Sequence, residues 1–286
     1  MFTLIFENLK GIQLRLTQNE AKFQIESVTG ISPPAASISS TPNIGDGDEV
    51  TNTRTGTRNI VANLYINGNV EENRLEIYKV LQNGKYIKIY ISTRTKNVWI
   101  EGYVEHIDID NFTNKTSCQI SILCPDPWFK DVVETINSLN TVKALFRFPF
   151  AIVDPIPFST YDQIQVVNLI NHGNVDSGMT IELKARGTVI NPIIYNRESR
   201  EFIGLGTSTF PFEMISGDKI VITTHKNNKK VKLIRDAEEI NVFNHLIKDS
   251  TFLQMQPGDN IFTYAVDDGN EYIDITFKHY SNYEGV

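Results

Sequence analysis

The chain has 286 residues, 41% hydrophobic and 21% charged, an ordinary globular balance with room for about two domains. Its formal net charge of −7 and pI near 5.3 argue against nonspecific phosphate binding, which needs surplus Lys and Arg to displace counterions. No run approaches the roughly 18 apolar residues of a transmembrane helix, and Met1 to Asn8 lacks the basic start of a signal peptide, so the expectation is a soluble protein without classical export.

β-signals dominate the first half. Phe2 to Phe6 and Ile12 to Leu16 alternate around Lys10-Gly11, a hairpin signature, and Phe23 to Val28 is a third run. From Thr29 to Arg58 the pattern stops, and Ser, Thr, Pro, Gly and Asn take over. Structureless segments of about 30 residues are uncommon inside compact domains. This one reads either as a surface loop or as an arm that orders against a neighbouring subunit. Alternation returns at Arg58 to Gly68. Asn69 then caps a predicted helix, with Glu71 and Glu72 at its positive end, Leu75, Tyr78 and Leu81 as its apolar stripe, and Gly84 after it. Three strands follow, Lys85 to Thr93, Val98 to Ile109 and Thr116 to Leu123, with turns at Thr95-Lys96-Asn97 and Asn111 to Asn114.

Asp126-Pro127 looks like a helix start, and Val132, Ile136 and Leu139 predict a short helix to Asn140. The Pro-rich stretch Asn140 to Pro157 reads as a connection between domains. Beyond Tyr161, strands recur every 8–12 residues, the rhythm of a β-sandwich. They are Ile164 to Ile170, Gly178 to Arg186, Ile190 to Asn196, Glu201 to Leu205, Thr209 to Met214, Lys219 to Thr224, Lys230 to Arg235, Asn260 to Ala265 and Glu271 to His279. Asp267-Asp268-Gly269-Asn270 predicts a tight turn between the last pair, and Glu238 to Ile247 a brief helix. The basic run His225 to Lys230 reads as a hairpin tip.

The search for chemistry yields no catalytic set, no metal site and no cofactor cradle. Cys118 and Cys124, six apart on one predicted strand, lie beyond disulfide reach and match no zinc or redox motif, so two reduced thiols are expected. Five histidines form no HxH or HExxH pattern; His106 and His279 read as hydrogen-bonded or solvated strand residues. Asp108 and Asp110 share one face of a strand, more simply a wet face than an acid/base pair. Asp267-Asp268-Gly269 lacks the ligand spacing of a calcium loop, and Gly204 to Ser208 has neither a P-loop Lys nor GxSxG spacing. Trp99, Trp128 and Phe146 to Phe150 could stack on a sugar, or could pack cores and the junction.

Taken in order, these features resemble the distal tail protein (Dit) family of siphophages, widespread in phages and prophages of Gram-positive bacteria. In the first half the resemblance rests on the early strand pairs, Gly45-Asp46-Gly47, Arg58-Asn59-Ile60, the strand–helix–meander unit and Asp126-Pro127-Trp128-Phe129. In the second it rests on Phe148-Pro149-Phe150, Asn171-His172-Gly173-Asn174-Val175, Asn191-Pro192-Ile193-Ile194-Tyr195-Asn196 and Gly217-Asp218-Lys219-Ile220. Ser250-Thr251-Phe252-Leu253, Pro257-Gly258-Asp259-Asn260 and Tyr283-Glu284-Gly285-Val286 complete it.

The resemblance implies a mainly β protein. Residues 1–140 would be a β-sandwich-like ring-forming domain with one α-helix and a long arm at 29–58, 141–160 a linker, and 161–286 a galectin-like β-sandwich. It implies a non-enzymatic structural protein of the virion, made in the host cytoplasm, that forms a homohexameric ring at the tail tip and baseplate. Its implied partners are the tail tube protein, the tape measure protein, the tail-associated or tail-tip protein, and a receptor-binding protein, with no cofactor, no sequence-specific nucleic-acid binding and no membrane insertion. Ile44, Asp46, Val50, Arg54 and Arg58 are the candidate subunit-interface residues. The alternative is a carbohydrate-binding host-adhesion module; some relatives carry an added one, but no gap here is long enough to hold it. A cell-wall hydrolase would need a residue set that this sequence does not offer.

Overall fold

The computed structural model describes residues 2–18, 20–110, 115–139, 141–144, 159–162 and 166–286, with 141–144 and 159–162 described as backbone strands alone. The expected turn at Asn111 to Asn114 and most of the 141–160 linker, including Phe148-Pro149-Phe150, lie outside the described residues. Two compact units emerge, Met1–Val132 with Asn282–Val286, and Val133–Ser281.

The first unit opens with β1 (Thr3–Asn8), β2 (Gln13–Thr17) and β3 (Phe23–Thr29). β4 (Ala36–Pro42) and β5 (Asp48–Thr55) form a separate two-stranded sheet. β6 (Arg58–Ile66), helix α1 (Val70–Val80), β7 (Tyr86–Ser92), β8 (Asn97–Ile109), β9 (Ser117–Cys124) and β10 (Phe129–Asp131) follow. Going round, β1 pairs with β2 and β7, β7 with β8, β8 with β9, β9 with β6 and β6 with β3. A single parallel pair, Thr17↔Gln24, joins β2 to β3. The strands therefore close into a barrel, which leaves few free edges. β8 makes closure possible: its first half pairs β7, its second half pairs β9, and a bulge lies between Val104 and His106. Bulges bend a strand so that it can turn a corner between two sheet directions.

Alternation in the sequence aims every second side chain inward. Leu4, Phe6, Leu64, Ile89 and Ile120 are fully buried in one core. Cys118 and Cys124 lie on the same inner face of β9 as free thiols, and burial pushes both up to about 12. The helix starts where expected, with the Asn69 side chain accepting from the Glu72 N–H at 3.5 Å. Its buried face differs from the expected one. Ile77, Val80 and the capping Leu81 enter the core, while Leu75 and Tyr78 are exposed. Each buried member contributes about 1.5–3 kcal/mol, so the 77/80/81 stripe decides the helix rotation.

The second unit contains β11 (Thr135–Leu139), β12 (Thr141–Ala144), β13 (Ser159–Asp162), β14 (Val166–Asn171) and β15 (Met179–Ala185). Next come β16 (Val189–Ile190), β17 (Ile193–Asn196), β18 (Phe202–Gly204), β19 (Glu213–Met214) and β20 (Lys219–Thr223). β21 (Lys230–Arg235), β22 (Glu238–Asn241), β23 (Gly258–Ala265) and β24 (Ile273–His279) complete it. One sheet runs β11-β24-β15-β20-β21-β22 and another β14-β23-β17-β18. They share one core, in which Phe262 of β23 and Phe277 of β24 meet with ring centroids 5.5 Å apart. The arrangement is a β-sandwich.

Two predicted helices are strands instead. Thr135–Leu139 pairs with β24 from Thr135↔His279 to Leu139↔Ile275, and Ile136 faces solvent. Ladder pairing with an existing strand overrides a weak helical spacing there. Glu238–Asn241 adds to β21, and only Phe243–His245 is helical, as a short 3₁₀ turn. The expected turn at 267–270 leads into a 3₁₀ turn at Asn270–Tyr272 and then β24. Gly269 is left-handed at φ 82°, and a Cβ there would lie 1.9 Å from the Thr188 carbonyl oxygen.

The last strand, β25 (Asn282–Tyr283), pairs with β10 in the first unit, Phe129↔Tyr283. Thus β11 belongs to the second unit's sheet and residues 282–286 to the first unit.

Candidate assembly surface

Residues 36–55 form a hairpin whose strands pair from Ala36↔Thr55 to Pro42↔Asp48. The tip is Asn43 to Gly47, closed by the Asn43 N–H donating to the Gly47 carbonyl at 3.2 Å. Thr51 is the extra residue of a bulge between Ser39 and Ser40, and its hydroxyl donates to the Ser39 carbonyl at 3.0 Å. The Ser40 hydroxyl donates to Asp48 at 3.0 Å. β-branched and hydroxyl residues suit a strand pair, and Gly45 and Gly47 suit the tip. The hairpin is about 25 Å long at the usual rise per strand residue.

Nothing in the unit covers it: every residue of β4, and every residue of β5 but Thr55, is exposed. Its register sorts the side chains nonetheless. Ala36, Ile38, Ser40 and Pro42 share one face with Thr55, Thr53, Val50 and Asp48. The opposite face carries Ser37, Ser39 and Thr41 against Arg54, Asn52 and Glu49. One face is thus apolar in its middle, with Ile38 65% and Val50 59% exposed, and Ile44 stands fully exposed at the tip. A lone two-stranded hairpin is marginal in water, and an uncovered apolar face calls for a partner.

Four of the five candidate interface residues lie on this element: Ile44 and Asp46 in the tip, Val50 on the apolar face, Arg54 on the polar one. Arg58 is elsewhere. It sits at the hairpin's root, 3% exposed, and packs its guanidinium 4.4 Å from the centre of the Phe129 ring. Nε donates to the Pro127 carbonyl at 2.6 Å, and one terminal nitrogen donates to the carbonyls of Gly30 and, at 2.8 Å, Ser32. The other terminal nitrogen donates to the Glu284 carbonyl. Burial lowers the Arg58 pKa, offset by nearby Cys124 and Glu284. Gly30, left-handed at φ 80°, makes the root compact, since a Cβ there would lie 2.0 Å from the Asn59 carbonyl oxygen. Ile38 escaped the sequence reading. Its place beside Val50 follows only from the bulged register, which fixes which residues face each other.

Trp99 is 8% exposed, with the Lys88 and Lys130 amines 3.8 and 4.9 Å from its ring centroid, so it offers no free face to a sugar. His106, Asp108 and Asp110 are exposed. His279 departs from expectation: it is 1% exposed, and neither ring nitrogen has a hydrogen-bond partner among the described residues. Burial, then neighbouring His172, lowers its pKa. Among the described residues, no three or more His, Cys, Asp or Glu gather as a metal site, and no helix is long and apolar enough to cross a membrane.

Residues 172–280 match the profile of the siphovirus-type tail component, C-terminal domain. Among solved structures, the chain is similar to SPP1 Dit, described as a paradigm of the hub adsorption apparatus in phages infecting Gram-positive hosts. The TM-score is 0.66 at 12% identity, covering 97% of this chain and 98% of that one. That likeness establishes a shared fold over nearly the whole length. A chain of the phage P2 baseplate in its activated conformation with Ca aligns at a TM-score of 0.47, 12% identity and coverage of 97% and 98%. No curated protein matches the sequence.

Proposed function

We propose that this chain, whose residues 172–280 match the siphovirus-type tail component, C-terminal domain, forms the hub ring of the tail tip. It is a β-rich structural protein of the phage tail. In the proposed assembly six copies close into a ring by a head-to-tail contact, which needs two different surfaces on each copy. The first unit forms the ring and joins the tail tube and tape measure proteins. The second unit offers its sandwich to tail-tip and receptor-binding proteins. Assembly takes place in the host cytoplasm, and the working form is in the virion.

The observation that carries this reading is the uncovered amphipathic hairpin. Its Ile38–Val50 face has no partner within its own unit, and in the ring that face packs on the next copy. Ordering then comes with assembly, as is usual for elements that cannot bury enough surface alone.

Removing residues 36–55 tests the reading. The root at 30–33 stays, because Gly30 and Ser32 supply acceptors to Arg58. A short Gly-Ser bridge replaces the hairpin. The expected outcome is a folded monomer by light scattering and circular dichroism. A shortened chain that still formed the same oligomer as the intact protein would remove the hairpin from the interface.

A further inference from the structure

Arg58 is a buried cation whose side-chain hydrogen bonds go to backbone carbonyls. Its guanidinium donates to four backbone carbonyls, and they come from three separate stretches of chain: 30–32, 127 and 284. The first stretch is the root of the hairpin. The last belongs to a short segment that follows the whole second unit in sequence yet docks in the first unit. That segment grips the root at further points. The Val286 N–H donates to the Ile31 carbonyl at 3.1 Å. Gly285 lies so close to the root that a Cβ on it would stand 2.9 Å from Pro33 Cδ and 3.1 Å from the Ile31 oxygen. Tyr283, 9% exposed, pairs with Phe129 in the β10–β25 ladder, and the Lys96 amine lies 4.0 Å from the centre of its ring.

Residues 30–33 are therefore clasped from two sides, by Arg58 and by 284–286. With 282–286 absent, Arg58 loses one acceptor, Ile31 loses a donor, and the buried Phe129 loses its strand partner. A buried guanidinium held by several carbonyl dipoles is sensitive to the loss of each one.

We infer that residues 282–286 are a latch on the hairpin root, and that the first unit presents a fixed hairpin only after the chain has been made through the second unit. A nascent chain with a completed barrel but no latch would carry a loose hairpin. Assembly through that hairpin would then be withheld until the second unit is also made. The assembly half of this inference rests on the proposed role of the hairpin; the latch itself does not.

The test uses the full chain, the chain lacking 282–286, and the milder Gly285→Val, whose side chain is directed at Pro33. Hydrogen exchange is followed at 30–33 and 36–55, with second-unit peptides as the internal control, beside light scattering for assembly. Both variants should exchange at least tenfold faster at the root, with second-unit peptides unchanged. Excess free peptide Asn-Tyr-Glu-Gly-Val should restore slow exchange to the shortened chain. Root exchange within twofold of the intact chain in both variants would overturn the latch. Faster root exchange with undiminished assembly would overturn the gating alone. Loss of the hairpin's role in assembly is diagnosed separately, by the 36–55 deletion.

Discussion

Replacing Arg58 by Met keeps the apolar stem beside Phe129 and deletes the guanidinium. Four carbonyl oxygens, of Gly30, Ser32, Pro127 and Glu284, then lose a donor in a partly buried place. Each orphaned buried polar group costs about 1–3 kcal/mol. The cation–π contact at 4.4 Å is worth about 2 kcal/mol when desolvated. Against these losses, the variant no longer desolvates a cation, which returns several kcal/mol. Carbonyl oxygens that keep a second partner or admit water soften the cost further. The net expectation is a loss of about 3–5 kcal/mol, the range typical of breaking a buried charged contact from one side. For a unit of this size that is a fall of about 10–17 °C in its melting temperature. Calorimetry should show the first unit's transition moving and the second unit's staying. Lysine should recover only part of the loss, because one ammonium cannot reproduce the planar fork that spans these carbonyls. A loss below about 1 kcal/mol in Arg58→Met would refute the assignment of Arg58 as the tie at the hairpin root.

Ile38→Asp combined with Val50→Asp should leave monomer stability within about 0.5 kcal/mol, since both side chains are exposed. The same pair should abolish oligomers by light scattering; unchanged assembly would exclude the apolar hairpin face. His279 should make the second unit acid-sensitive. Its folded pKa is lowered by burial and by His172, so the unfolded chain takes up the proton first. The stability it allows is fully present above the ordinary histidine pKa of about 6.5 and is lost as pH falls below that value, by up to about 1.4 kcal/mol per pH unit. His279→Leu should flatten this slope in urea titrations between pH 7.5 and 5, and an unchanged slope would assign the sensitivity to other groups. Gly269→Ala should destabilise the second unit by about 2 kcal/mol or more, because its left-handed backbone disfavours a Cβ and the Thr188 carbonyl blocks one. Gly45→Ala, with open space around it, should be neutral in the same thermal melt.

What could be read ahead of the structure was whatever repeats locally. The barrel strands alternate strictly, as in Arg58–Ile66, so their inward faces are visible in the sequence. Asn69 announces the helix start by its chemistry, yet the helix rotation was misread, because Leu75 and Tyr78 have the same apolar spacing as residues that pack. Thr135–Leu139 has a helical spacing too, and only β24, far along the chain, makes it a strand. The hairpin was legible as an arm but not as a strand pair. All of β4 and nearly all of β5 is exposed, so no buried face imprints a period on the sequence. Of the candidate interface residues, the four within the hairpin share its exposed surface. Arg58 does not, because its role depends on carbonyls whose positions are set by chain stretches up to 226 residues away. The segment 283–286 stood out by resemblance, while its physical task at the hairpin root appears only in the fold.

Electron microscopy of the purified full chain in negative stain tests the central claim most directly. The account predicts rings with sixfold symmetry and a central channel, lost in the chain without residues 36–55. A population of single small particles at every concentration tested, with no rings, would contradict it.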